Sequence, residues 1–298
     1  YIEISKGQTN SVPNNYIRRQ TLVNAERYIT DELKVHEDKV LTAEERIVEI
    51  EFRIFKETVD VVLEKLIEIQ RLARAVATLD CLVGWSELAV KNKYVLPDWN
   101  DEGEIEIREG RHPVVERLNI NSQFVPNDLI LNHKERQILI ITGPNMAGKS
   151  VYLRQAAVIC LMAQMGCWVP AKIAKLAVVD RVFVRSGASD AMAKGLSTFM
   201  VEMTETAGIL AQATEKSLIV MDEIGRGTST FDGISLAWAI TEWLVSSQWK
   251  KDGVVRGPKT LFATHYHELQ QLADEYEQIQ NVQVAVADDK GVPIFLHK

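Results

Sequence analysis

Gly143-Pro144-Asn145-Met146-Ala147-Gly148-Lys149-Ser150 places two glycines, a lysine and a hydroxyl at the spacing GxxxxGK[ST]. The apolar run Ile138-Leu139-Ile140-Ile141 precedes it and a helix-like pattern follows. A strand that turns tightly into a helix aims several backbone N–H groups at one point, and the helix N-terminus adds partial positive charge there. In that context Lys149 reaches the β- and γ-phosphates of a nucleotide, and the Ser150 hydroxyl ligates Mg2+. A second run, Ser217-Leu218-Ile219-Val220-Met221-Asp222-Glu223, is an apolar strand ending in two carboxylates, the Walker B pattern. Asp222 would hold Mg2+ through its water shell, and Glu223 would orient or deprotonate the attacking water. Two acids after a buried strand are otherwise an ordinary solvated turn; the phosphate loop upstream gives them their catalytic reading.

Three further segments fit the same chemistry. Ser197-Thr198-Phe199-Met200 follows Lys194-Gly195 and opens a helical pattern. Ser197 would cap that helix, or present its hydroxyl and neighbouring N–H groups to a phosphate. Gly225-Arg226-Gly227-Thr228-Ser229-Thr230 is a polar loop directly after the two carboxylates. Thr264-His265 closes a strand-like run, and a histidine at the carboxyl end of such a strand can reach a γ-phosphate. His267 reads as a bystander.

The elements that must position these groups fall into two textures. No proline lies between Pro13 and Pro97, and no glycine between Gly7 and Gly84, so the main helix breakers are missing there. Ile47, Ile50, Ile54, Val61, Leu66, Ile69, Leu72, Val76 and Leu79 recur mostly at steps of three and four, with acids and lysines largely off that stripe. The pattern predicts long helices over roughly 21–35 and 43–90, the stripe packed on neighbouring elements. The polar stretch 97–110 is the expected domain boundary. Beyond it, strand-like runs at 137–142, 178–185, 217–221 and 259–264 alternate with helical patterns at 150–165, 199–214 and 234–246. That alternation predicts an α/β P-loop fold with a mainly parallel sheet, preceded by a long-helix region.

Composition narrows the setting. With 46% hydrophobic and 25% charged residues, the 298-residue chain is neither disordered nor collagen-like. A net charge of -7 argues against a uniformly basic nucleic-acid coat, though not against a local basic patch. Cys81, Cys160 and Cys167 show no metal or redox spacing, which suits a reducing compartment. No apolar run reaches the ~18 residues of a membrane span, and 156–165 reads as a buried helix. The strand-like alternation Tyr1-Ile2-Glu3-Ile4, without an initiator Met, and the strand-like residues 293–298 suggest a chain cut through a fold at both ends.

Taken together, Arg111-His112-Pro113 and the runs 141–150, 197–206, 221–233 and 262–269 resemble the ATPase domain of the MutS family of DNA mismatch repair proteins. Residues 16–22 and 24–28 look like the segment where the DNA clamp of that family rejoins its lever helices, so the resemblance covers essentially the whole chain. Asn145-Met146 and the Ser-Thr-Phe-Met signature separate it from transporter ATPases and weigh against the MutS-like relative acting in recombination. Ala147 stands where many members carry glycine.

The resemblance implies the end of a DNA clamp at 1–27, a helical lever at 28–98 and an ABC-class, Mg-dependent ATPase domain at 99–298. Dimerisation helices would lie beyond Lys298. It implies a composite dimer in which Ser197 contacts the γ-phosphate bound to the partner subunit and His265 acts as the switch histidine. Phe124 and His297 would flank the adenine of ATP. Lys6, Arg18 and Arg19, with Arg27, would offer DNA phosphate contacts. The implied partners are mismatched double-stranded DNA, through the full-length protein, a second copy or a paralogous subunit, and a downstream mismatch repair factor, with no membrane. The implied location is bacterial cytoplasm, associated with the nucleoid. Phe55-Lys56-Glu57 matches the family's mismatch-reading wedge only by coincidence, since it falls inside a predicted helix. Other readings stay open: a structural DNA-clamp ATPase of the chromosome-maintenance type, a non-catalytic module in which nucleotide only locks a dimer, and a MutS-like recombination-related ATPase. The signature opposes the first, and intact Lys149, Asp222 and Glu223 oppose the second.

Overall fold

In the computed structural model the described residues are 1–118, 124–144, 147–186, 198–251, 253–284, 286–289 and 292–295. They form two compact units, Tyr1–Asp80 and Cys81–Lys298.

The first unit opens with strands β1 (Ile2–Ser5), β2 (Ile17–Thr21) and β3 (Ala25–Ile29), an antiparallel sheet in the order β1-β3-β2. Helices α1 (Asp31–Leu41) and α2 (Ala43–Glu64) follow, then α3 (Leu66–Asn92), which runs on past the unit's last residue. A helix over 21–35 is therefore not formed. Residues 25–29 pair on both edges as the central strand, burying Tyr28 and Ile29, and pairing overrides the lack of helix breakers. The helix starts only at Asp31, where the Thr30 hydroxyl accepts a 3.1 Å bond from the Leu33 amide, a regular N-cap. The helix expected over 43–90 is two helices. At Lys65 the backbone leaves helical geometry and its amide bonds to the Val62 carbonyl at 3.1 Å, a tight closure that interrupts the ladder. No residue of α1 or α2 is buried, so the α2 stripe is not packed on neighbours among the described residues.

In the second unit the elements are β4 (Asp98–Asn100), β5 (Ile105–Gly110), α4 (Val115–Leu118), β6 (Asn127–Leu131), β7 (Ile138–Thr142), α5 (Lys149–Gln164), β8 (Ile173–Ala177), β9 (Val182–Arg185), α6 (Thr198–Gln212), β10 (Leu218–Asp222), α7 (Thr230–Val245), β11 (Lys250–Lys251), β12 (Val254–Val255), β13 (Lys259–Ala263), α8 (Leu272–Glu275), β14 (Ile279–Gln283), β15 (Val286–Asp289) and β16 (Val292–Phe295). The main sheet is parallel throughout, in the order β14-β7-β13-β10-β9. Its strands β7, β10 and β13 are buried along their whole length, because apolar clusters cover both faces. One cluster includes Leu139, Ile141, Leu153 and Val220; the other includes Ile138, Ile140, Met221 and Phe262.

A second sheet, β4-β8-β5-β6, was not expected. The stretch 97–110 holds β4 and β5, and in β5 Ile105 and Ile107 are fully buried and alternate with Glu106 and Arg108. That is the period of a half-buried strand. The strand expected over 178–185 begins only at Val182; β8, which ends at Ala177, belongs to the second sheet. No helix among the described residues is long and apolar enough to cross a membrane.

Candidate nucleotide site

Three adjacent parallel strands, β7, β13 and β10, end at the same edge of the sheet. Ligands of parallel α/β sheets gather at such carboxyl ends. The turn after β7 carries the phosphate-loop motif, β10 ends in Asp222 with Glu223 next, and His265 lies two residues past β13.

The loop after β7 is built from backbone freedom and one buried cation. Gly148 has φ 97° and begins α5, a left-handed conformation that suits glycine. Gly143, at φ 149°, leaves room for Val284, which a Cβ would approach to 3.3 Å. Ala147 is nearly fully buried, and its side chain is accommodated in the hydrophobic cluster below α5. Lys149 is buried, and its ammonium donates to the carbonyls of Gly143 and Pro144, the latter at 3.2 Å. The cation is thus folded over the loop that would wrap a phosphate. Ser150 follows, half-buried, in the first turn of α5.

On β10, the Asp222 carboxylate is 8% exposed and its Oδ1 has no hydrogen-bond partner among the described residues. A buried, unpaired carboxylate oxygen is costly unless something polar or cationic completes it. No cluster of three or more His, Cys, Asp or Glu suited to a metal exists among the described residues. The open Asp222 oxygen and the Ser150 hydroxyl are hard oxygen donors, the donor type that Mg2+ takes. Glu223 extends the ladder through its amide, which donates to the Ala263 carbonyl at 2.9 Å, and takes φ 58°, a left-handed backbone rare for this residue type. Its carboxylate is ion-paired with Arg226. Burial and then the Arg226 charge lower the pKa of His265, while Glu223 opposes that shift.

A cavity of 260 Å3 opens between β10 and α6, lined by Asp222, Glu223, Arg226, Arg185, Glu202 and Thr198. A second, of 600 Å3, lies beside the phosphate loop, with Ala147, Gly148, Tyr152, Val284 and Pro126 in its wall. Phe124, half-buried, stands two residues before Pro126. Asn145, Met146, Ser197 and His297 lie outside the described residues. In the other unit, Lys6 and Arg19 face solvent, and Arg18 pairs with Glu26 at 3.3 Å. Sequence reasoning did not single out Glu202, Tyr266, Arg185 or Arg226 in the second unit, because their partners lie far along the chain or turn back within a loop.

Comparison with known proteins agrees with this geometry. A family profile described as MutS domain V matches residues 139–298, and one described as MutS family domain IV matches residues 1–46. The chain is 52% identical over 298 residues to a protein named DNA mismatch repair protein MutS from Alkaliphilus oremlandii, covering all of this chain and 33% of that protein. It is likewise 52% identical, with the same coverage, to the protein of that name from Acetivibrio thermocellus. The protein of that name from Lachnoclostridium phytofermentans is 50% identical, with 31% of its length covered. The chain thus spans about a third of the length of these curated relatives. With more than half of its residues inside the domain V match, and a domain IV match at its start, this chain belongs to the MutS family.

Proposed function

We propose that the second unit binds and hydrolyses ATP with Mg2+, and that the chain serves ATP-dependent DNA mismatch repair. The observation that carries the reading is the convergence of Lys149, Asp222, Glu223 and His265 at the carboxyl ends of three adjacent parallel strands. Incoming phosphate draws Lys149 off the Gly143 and Pro144 carbonyls, exchanging neutral acceptors for charged ones. Ser150, and Asp222 through a water shell, would hold Mg2+, which would supply positive charge against the charge developing on the transferred phosphoryl group. Glu223, once released from Arg226, takes the proton of the attacking water or orients it. His265 offers a ring N–H to the γ-phosphate. The cavity beside Tyr152 accepts the nucleoside, with Phe124 and His297 as the residues that would flank the adenine.

In this reading the site is composite and of the ABC class. Ser197, at the head of α6, meets the nucleotide of a second copy or a paralogous subunit. Residues 1–27 end a DNA clamp where Lys6, Arg18 and Arg19 contact backbone phosphates, and 28–98 form the lever that links clamp to ATPase at 99–298. Mismatched duplex and a downstream repair factor are the partners, in bacterial cytoplasm at the nucleoid. The test is ATP hydrolysis by this chain, with and without mismatched duplex. Mg-dependent turnover abolished by Glu223→Ala is the expected result; absence of turnover at protein concentrations that drive dimerisation would sink the reading.

A further inference from the structure

The loop after Glu223 is held from two sides. Glu202, on the first turns of α6, is 6% exposed, and its carboxylate accepts a 2.7 Å hydrogen bond from the Gly225 amide. The Gly225 carbonyl accepts a 3.0 Å bond from the Tyr266 hydroxyl, in the residue next to His265. The same loop meets α6 again two residues on: a Cβ on Gly227 would stand 3.1 Å from the Phe199 Cβ and 3.2 Å from its Cα. Glu223 and Gly225 both have left-handed φ, 58° and 89°. The strand ladder ends at the Glu223 amide, so the path of the next residues is fixed by what grips them. Those grips are Glu202, Tyr266 and the contact with Phe199.

A buried carboxylate on one amide is ordinary loop anchoring, except for where its two ends lie. One end is the helix headed by the Ser197-Thr198-Phe199-Met200 signature. The other is two residues from Glu223, across a shared cavity that also holds Asp222 and Arg226. We infer that Glu202 is a positioning residue: it ties the placement of α6 to the placement of the Glu223 carboxylate, so that whatever engages the head of α6 resets hydrolysis in this chain's own site. The inference rests on the ATPase reading above. If α6 faces the nucleotide of a second subunit, occupancy there is passed through Glu202 to Glu223 here.

The test compares Glu202→Ala, Glu202→Asp and Glu202→Gln in the full chain, by steady-state kinetics and by Mg-ATP binding. Glutamine keeps a carbonyl oxygen at the same reach and should recover most of kcat. Alanine and the shorter aspartate lose the Gly225 amide and should lower kcat about 10- to 100-fold, the range expected when a catalytic group is misplaced by about 1 Å. KM and the binding constant should stay within about twofold, since the phosphate loop is untouched. Amide exchange at Gly225 should quicken in the alanine and aspartate variants and stay slow in the glutamine variant. Ile209→Ala, a core change on the same helix, should lower the melting temperature and keep kcat, which separates positioning from general loosening of α6. If Glu202→Ala does not fold, aspartate against glutamine decides. Wild-type kcat in Glu202→Asp or Glu202→Ala overturns the proposal, provided the wild type hydrolyses ATP and Glu223→Ala does not. A wild type without turnover overturns the ATPase reading instead, and the coupling built on it.

Discussion

Gly233→Ala should destabilise the second unit although it lies in a helix, where alanine is normally the better residue. Replacing glycine by alanine in a helix interior gains roughly 0.5–1 kcal/mol. At Gly233 that gain meets a wall: the new Cβ would stand 2.3 Å from the Tyr266 hydroxyl and 2.7 Å from the Gly225 carbonyl. The phenol must move, and its 3.0 Å bond to Gly225 breaks. Two buried polar groups left unpaired cost about 1–3 kcal/mol, and overpacking adds about 1–3 more. The penalty exceeds the helix gain, leaving a net loss of about 1–5 kcal/mol. Gly208→Ala on α6 is the matched control, because nothing lies within 4 Å of its Cβ position; it should stabilise by roughly 0.5–1 kcal/mol. Denaturant unfolding followed by tryptophan fluorescence reads this unit alone, since all six tryptophans lie in it. An unfolding midpoint for Gly233→Ala at or above that of the wild type would refute the packing argument.

Glu223→Ala should leave Mg-ATP binding largely intact in calorimetry and reduce turnover about 100-fold or more, because it removes the water-orienting group and spares the phosphate loop. Lys149→Ala should weaken nucleotide binding itself. Ser197→Ala and Lys149→Ala should each be poorly active alone and regain activity on mixing, up to about half per mixed dimer, since one of its two sites is intact; mixed dimers without activity would move Ser197 back to helix capping. Burial and the charges of Lys259 and Arg256 lower the pKa of His133 from 6.5 to about 4, against the weaker pull of Glu215. Its protonated form is therefore disfavoured by folding: nothing is lost above pH 6.5, and stability falls between pH 6.5 and 4 as the unfolded chain takes the proton first. The slope should be up to about 1.4 kcal/mol per pH unit, and His133→Gln should flatten it in pH-dependent melting experiments.

Much of the candidate nucleotide site is legible because its parts are contiguous. A glycine-rich turn, its lysine and its hydroxyl occupy eight consecutive residues, and each strand that ends there announces itself as an apolar run, as buried parallel strands do. What was not legible depends on meetings across the fold. Glu202 finds Gly225 23 residues on, and Tyr266 finds the same glycine 41 residues back; no local spacing marks either pair. Residues 21–29 failed for a related reason. Their lack of breakers suits a helix, but β3 is claimed on both edges by strands whose approach a linear pattern does not show. The alternation Ile105-Glu106-Ile107-Arg108 spans only four residues between Gly103 and Gly110, too short a run to mark a strand in a polar stretch.

The α2 stripe has a practical consequence for anyone weighing this chain in solution. Ile47 and Ile54 are each 54% exposed and Val61 is 65% exposed, along a helix with no buried residue. Exposed apolar stripes favour non-specific association, so a dimer's mass alone does not identify the nucleotide-bridged pair. The two kinds of association respond to different handles. Apolar adhesion strengthens with sulfate and weakens on cooling. A pair held through the phosphate loop follows Mg-ATP and vanishes with Lys149→Ala. Sedimentation run across both handles, with a charged substitution such as Val61→Glu on the stripe, tells one dimer from the other.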